Sequence, residues 1–233
     1  MHDRRSAADD CSTTDSIARV ERSKHDAIAW YDRLSPWYDV LIARLDRWPR
    51  DRGIELLNVQ TDEQVLEVGA GTGQALVAFA DDVGSTGLVV GLDISEGMCT
   101  VAQETVRDAN VSDRVSVIRG DAEQLPFETD AFDVLFTSFT LELFDTPALP
   151  TTLEEWRRVL RDDGRIGVVA LSKRDAGLAT RTYERVHDLL PRYVDCRPIF
   201  ARELLQESGF TTLEMEIMPL WGLTAEVVVA QPT

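Results

Sequence analysis

The sequence predicts an α/β protein: a doubly wound, mostly parallel sheet that closes on an antiparallel hairpin. Three observations predict it. Short apolar runs alternate with amphipathic stretches between residues 65 and 171, the pattern of strands covered on both faces by crossover helices. A glycine-rich turn, Gly69-Ala70-Gly71-Thr72-Gly73, follows the first apolar run and precedes the first helical stretch. The last two apolar runs are joined by a Pro219/Gly222 turn, too short for a helical crossover, so they must pair antiparallel.

In chain order, residues 1–24 are polar and charged and predict a mobile tail. From Asp26 to Leu57 the pattern turns helical and aromatic, with Trp30, Tyr31, Leu34, Trp37, Tyr38, Leu41, Leu45 and Trp48. Pro36 and Pro49 divide this stretch into two or three short helices. Strands are expected at Val65–Gly69, Leu88–Asp93, Val115–Gly120, Phe132–Ser138 and Arg165–Leu171. Helices are expected near Gln74–Ala80, Ser95–Ala109, Thr152–Leu160 and 200–208, before closing strands at Thr212–Met218 and Ala225–Ala230. In the Thr152–Leu160 helix, Thr152 and Glu155 have capping-box spacing, and Leu153, Trp156 and Leu160 form one apolar stripe.

Composition narrows the function. The 233 residues suit one decorated α/β domain. No apolar stretch approaches the roughly 20 residues that a spanning helix needs, and no apolar segment backs the N-terminal arginines as a secretory signal would. Cys11, Cys99 and Cys196 are scattered and lack metal-ligand spacing, which excludes a disulfide framework and a zinc site and suits a reducing cytoplasm. The net charge is -17, and Lys24 and Lys173 are the only lysines. Such a surface repels nucleic acid and is suited to high salt, where screening relieves its self-repulsion.

The chemistry concentrates beyond the carboxyl ends of the strands, where doubly wound sheets receive ligands. Gln74 occupies the position at which a nicotinamide fingerprint needs a small residue, and the GK[ST] of a phosphate loop is absent. No cation in the loop neutralises a pyrophosphate, and Glu67 beneath it would repel one. Glu67 can instead attract a cationic group or hold the loop by accepting its amides. Asp93 ends the second strand, where a carboxylate can take both hydroxyls of a ribose, and Asp121 ends the third, where an exocyclic adenine amine could find an acceptor. His187 is either a general base or a surface helical residue.

VLEVGAGTG, GLDIS, GDAEQLPF, FDVLFTSFTLELF and EEWRRVLRDDGRIGVV, in this order and spacing, resemble the class I S-adenosylmethionine-dependent methyltransferases. WYDRLSPWYD narrows the resemblance toward the UbiE-like methyltransferases of ubiquinone and menaquinone biosynthesis, and toward similar bacterial phospholipid N-methyltransferases. It runs from Trp30 to the C-terminus, with Asp162-Asp163-Gly164 departing from the usual Pro-Gly-Gly turn. The resemblance implies a Rossmann-like, seven-stranded sheet with an antiparallel last strand. It also implies one domain over 25–233, with a helical lid at 25–60 and a substrate cap at 172–202.

By position, the resemblance puts Glu67, Gly69, Ala70, Gly71, Thr72 and Gly73 around the methionine part of S-adenosylmethionine, and Asp93 on its ribose. Ile94 and Met98 would pack on the adenine, Asp121 and Ala122 would meet its edge, and Ser138 would face the methyl-bearing end. Tyr31 and Tyr38 belong to the lid, with Tyr38 on the cofactor and Tyr31 on the acceptor. In the cap, Lys173, Arg174, Arg181, Arg185, Arg192, Arg197 and Arg202 interleave with apolar residues. That suits either a cap whose arginines pair with the acidic surface, or a lipid-like acceptor with a polar or anionic head, drawn transiently from a membrane surface, with Arg181 and Arg185 as its contacts. The expected activity is methyl transfer to a small or lipid-like acceptor, with C-methylation of a quinone precursor ahead of headgroup N-methylation. A nicotinamide oxidoreductase and a non-enzymatic binder of the cofactor are the competing classes.

Overall fold

The computed structural model describes Thr13, Ile17, Asp32 and residues 47–174 and 197–233. Tyr31, Tyr38, Arg181, Arg185 and His187 lie outside the described residues, as do most of the expected lid, tail and cap. Elements are numbered in order among the described residues. They are α1 (Arg47–Leu57), β1 (Gln64–Val68), α2 (Gln74–Asp82), β2 (Leu88–Asp93), α3 (Glu96–Asp108), β3 (Val115–Arg119) and β4 (Phe132–Ser138). There follow α4 (Leu149–Val159), β5 (Leu160–Leu171), α5 (Ala201–Glu207), β6 (Phe210–Leu220) and β7 (Leu223–Pro232).

The strands form one seven-stranded sheet in the order β3-β2-β1-β4-β5-β7-β6. β1 to β5 pair in parallel, and β7 runs antiparallel between β5 and β6. The doubly wound sheet with its antiparallel last strand is therefore as expected. Strand alternation sorts the core into two layers. Leu66, Leu135, Val168 and Val228 pack with Leu153 and Trp156 of α4 and Leu205 of α5. Val65, Val134, Phe136, Val169 and Val227 pack with Leu57 of α1, Phe79 of α2 and Ala102 of α3.

Pro49 lies within α1, and the expected division of the stretch before it falls outside the described residues. Two local expectations change. The capping box at Thr152 does not form, because α4 already begins at Leu149. Thr152 Oγ1 bonds back to the Ala148 carbonyl (2.8 Å), while Glu155 accepts from Leu125 N (2.8 Å) and pairs with Arg158. The closing hairpin turns at Trp221-Gly222, both with positive φ, leaving Pro219 inside the edge strand, where its lost donor breaks no ladder bond. From the expected tail, Ile17 is buried in the α4/α5 core layer, and Thr13 N donates to Glu207 (3.1 Å).

β1 lies between β2 and β4, so the chain leaves β1 toward one side of the sheet and β4 toward the other. The crevice above that divergence is where a ligand enters such a fold.

Candidate active site

The glycine turn is stitched across the end of β2. Gly69 N and Ala70 N both donate to the Leu92 carbonyl (2.8 and 3.1 Å), and Gly73 N donates to Ala70 O (2.9 Å). Gly69, Gly71 and Gly73 all have positive φ (75°, 52° and 80°), which side chains resist. Their surroundings differ. A side chain on Gly69 would collide with Thr140, and one on Gly73 would lie 3.0 Å from the Ala102 backbone in α3. At Gly71 the nearest atom among the described residues, chain neighbours aside, is Gly69 O at 4.0 Å. Gly69 and Gly73 therefore serve packing, and Gly71 faces open space among the described residues.

The two acids at this turn do different work. Asp93 holds the loop: its Oδ2 accepts from Gly71 N and its Oδ1 from Ser95 N, each at 2.9 Å. Burial pushes its carboxyl above the ordinary range against these amide bonds, and each oxygen keeps one further lone pair. Glu67 is 3% exposed, and its Oε2 is buried without a partner. Burial raises its carboxyl well above the usual value; nearby Arg50 offsets this in part, and Asp93 adds to it.

Met98 is buried in α3, and Ile94 is half-buried with its carbonyl accepting from Arg119 Nε (3.1 Å). Asp121 Oδ1 accepts from Glu123 N (3.0 Å), and the buried Ala122 gives its carbonyl to Trp156 Nε1 (2.9 Å). Ala70 and Thr72 are buried in the turn. Ser138 ends β4, and its Oγ is buried without a partner. The predicted residues of β1, β2, β3 and β4 thus gather on one end of the sheet. Burial pushes the Cys99 thiol up to about 11, which keeps it protonated.

Three features escaped the sequence reading. Asp32, from the WYDRLSPWYD stretch, accepts from Ser95 Oγ (2.6 Å) and Gly97 N (3.0 Å) at the start of α3. The Ser95 hydroxyl is the main cause of its lowered pKa. Glu142 and Glu226 are both fully buried acids, each standing alone in an apolar run, FTLELF and TAEVVVA. An isolated charge in an apolar run is the signal that would have found them, since burial demands a partner or a function.

The cap's charge also needs a new reading at its ends. Arg174 pairs with Glu203 and with Glu226 (3.3 Å). Arg197 is 2% exposed and donates to the carbonyls of Glu142 (3.2 Å) and Phe144 and to Thr146 Oγ1 (2.7 Å). Lys173 N donates to Ile199 O, and Ile199 N to Leu171 O, each at 2.9 Å. These two arginines of the expected cap are therefore bound into the fold.

The fold and this crevice define a class I methyltransferase, and comparison with known proteins agrees: residues 65–164 match the family described as "Methyltransferase domain". A solved relative by fold is the Burkholderia thailandensis 1,6-didemethyltoxoflavin-N1-methyltransferase, with S-adenosylhomocysteine bound. It has a TM-score of 0.66 and 20% identity, over 93% of this chain and 95% of that one. The Pseudomonas aeruginosa (strain LESB58) ubiquinone/menaquinone biosynthesis C-methyltransferase UbiE is 32% identical over 194 residues, which is 79% of this chain and 74% of the relative. The UbiE of Ectopseudomonas mendocina (strain ymp) is 33% identical over 175 residues, 75% of this chain and just under two thirds (66%) of that relative. The chain belongs to the UbiE-like family of S-adenosylmethionine-dependent methyltransferases, and S-adenosylmethionine is its cofactor.

Proposed function

We propose that this enzyme methylates a ring carbon of a hydroxylated quinone precursor; its UbiE relatives are named as C-methyltransferases of ubiquinone/menaquinone biosynthesis. The observation that supports the cofactor half of this reading is Glu67 Oε2, a carboxyl oxygen buried without a partner at the end of β1, just before the glycine turn. It fits the ammonium of the methionine moiety, which neither a nicotinamide nor a polyphosphate would supply. The turn from Gly69 to Gly73, with Ala70 and Thr72, lines the same moiety. The two remaining lone pairs of Asp93 suit the ribose hydroxyls, with Ile94, Met98, Asp121 and Ala122 around the adenine and Ser138 Oγ toward the methyl-bearing end. Tyr38 closes over the cofactor, while Tyr31, Arg181 and Arg185 meet the acceptor. Residues 25–233 act as one domain, with the lid at 25–60 and the cap at 172–202.

When bound, S-adenosylmethionine supplies a methyl group already activated by its cationic sulfur. The protein's part is alignment, exclusion of water and removal of a proton from the acceptor. Among the described residues no helix is long and apolar enough to cross a membrane, so a lipid-like acceptor would be taken by transient surface contact. We read the site of action as the cytoplasm, and the acidic, lysine-poor surface as an adaptation to high salt.

Thermal scans and methyl-transfer assays test this. S-adenosylhomocysteine should raise the melting temperature, since it binds the native state only, and molar KCl should raise it further. Tritiated methyl should pass to demethylmenaquinol or a short-chain analogue. A shift with NAD and none with S-adenosylhomocysteine would overturn the cofactor assignment, and a melting temperature indifferent to KCl the high-salt reading. Transfer to a phospholipid headgroup instead of a quinol would replace the acceptor.

A further inference from the structure

Glu142 stands where β4 has stopped and β5 continues. Ser138, the last residue of β4, pairs with Val169, two residues before β5 ends at Leu171. Ser172 N donates to Thr224 O of β7 (2.8 Å), so strand alternation turns the Leu171 N–H and carbonyl to the opposite edge, where β4 would have been. Glu142 Oε1 accepts that N–H (3.1 Å), and Ile199 N takes the carbonyl (2.9 Å). The carboxyl therefore fills the gap between β4 and β5 at the ligand-receiving end of the sheet. Its other oxygen, Oε2, is buried without a partner, as is Ser138 Oγ at the end of the same strand.

Three groups face this carboxyl among the described residues: its own backbone N–H, the Leu171 N–H from β5, and Arg197 from the stretch entering α5. Arg197 spends its donors on Glu142 O, Phe144 O and Thr146 Oγ1 rather than on the carboxylate, so no direct ion pair forms. Burial dominates and pushes the group up to about 7. A strand cap needs only Oε1, and a buried second oxygen left unbonded is expensive unless something else uses it.

We propose that Glu142 accepts the proton of the acceptor's ring hydroxyl. This rests on the hydroxylated-ring reading above. The acceptor's O–H bond breaks, the proton passes to Oε2, and the electron pair stays on the ring oxygen, delocalised onto the ring carbon that is methylated. Glu142, now neutral, later returns the proton to water. A base of this kind contributes most when its own pKa lies near the working pH.

The test is Glu142→Gln, which keeps the shape and can still accept from Leu171 N–H. Affinity for S-adenosylhomocysteine should stay within about twofold, since the change lies off the glycine turn. With that product bound, wild-type affinity for the unreactive probe 2-naphthol should strengthen as the pH rises through about 7, and the variant should lose that dependence. Turnover of the quinol should fall by about 100-fold in the variant, and its rise with pH should vanish. If the wild type methylates the quinol and the variant keeps both its rate and its pH profile, the assignment to Glu142 is wrong and the acceptor reading stands. If the wild type binds S-adenosylhomocysteine but neither binds nor methylates any hydroxylated ring, the acceptor reading falls and this assignment with it. Should the variant not fold, a flat wild-type 2-naphthol profile across that pH overturns the proposal and a rising one supports it.

Discussion

The two ends of the sheet treat their buried acids in opposite ways. At the amino end, Glu63 takes both terminal nitrogens of Arg165 (2.8 Å each), whose guanidinium also reaches the Leu57 and Asn58 carbonyls that close α1. Beside it, Asp133 pairs with Arg161 and accepts from Gln64 N (2.8 Å). At the carboxyl ends of β1, β2 and β4, Glu67, Asp93 and Glu142 make no ion pair among the described residues; Arg50 and Arg197 only partly offset Glu67 and Glu142, and burial raises all three. Past β5 the pairing resumes, with Arg174 on Glu203 and Glu226. Charge is cancelled where the chain only has to be held together. Among the described residues, ion pairing is missing at the end of the sheet where we propose that the cofactor enters. Keeping those carboxyls ionised there opposes folding, so burial favours their protonated forms.

Breaking the paired end should have the largest effect on stability and almost none on binding. Arg165→Met strands a largely buried carboxylate and two helix-end carbonyls, an expected loss of about 3 kcal/mol in urea unfolding. The folded fraction should bind S-adenosylhomocysteine as the wild type does; a matching loss of affinity would erase the contrast between the ends. Glu67→Gln reverses the pattern. A carboxyl whose folded pKa is raised favours its protonated form in the native state, so its contribution falls as pH rises above the ordinary carboxylate value near 4.5. The decline is roughly 1.4 kcal/mol per pH unit until the folded pKa is passed. The Gln variant should lose that decline, outlast the wild type at neutral pH, and bind the cofactor more weakly. A variant less stable than the wild type at neutral pH would show that Glu67 is compensated after all.

Much of this was legible in the sequence because backbone periodicity and turn chemistry are local. The strand at Phe132–Ser138, the αL turn at Gly69–Gly73 and the closing hairpin are each specified by residues adjacent in the chain. What escaped depends on partners far away in sequence. Thr152 and Glu155 have the right spacing for a capping box, but Leu125 and Arg158 claim the glutamate. Whether Arg174 and Arg197 pair within the fold or face an acceptor is not legible until Glu226 and the Phe144 carbonyl are brought against them. The division of labour between Glu67 and Asp93 was equally invisible, since either acid could have held the loop. Only the fold assigns the Gly71 amide to Asp93 and leaves Glu67 open.

The smallest effect, and the finest test of the contrast, lies within the glycine turn. Gly73→Ala needs a left-handed side chain and sets a methyl 3.0 Å from the Ala102 backbone, which a packed helix cannot easily yield. Gly71→Ala shares only the left-handed penalty, about 1 kcal/mol, because among the described residues, chain neighbours aside, its methyl meets no atom closer than 4.0 Å. The Gly73→Ala variant should therefore be the less stable of the two in denaturant. Affinity should rank them the other way round, because the methyl at position 71 enters the space assigned to the methionine chain while the one at 73 points into α3. Paired unfolding curves and S-adenosylhomocysteine titrations on the folded variants would read both orders at once. If Gly71→Ala binds as tightly as the wild type, its open face is solvent, and the cofactor approaches this turn through the backbone of Ala70 and Thr72 instead.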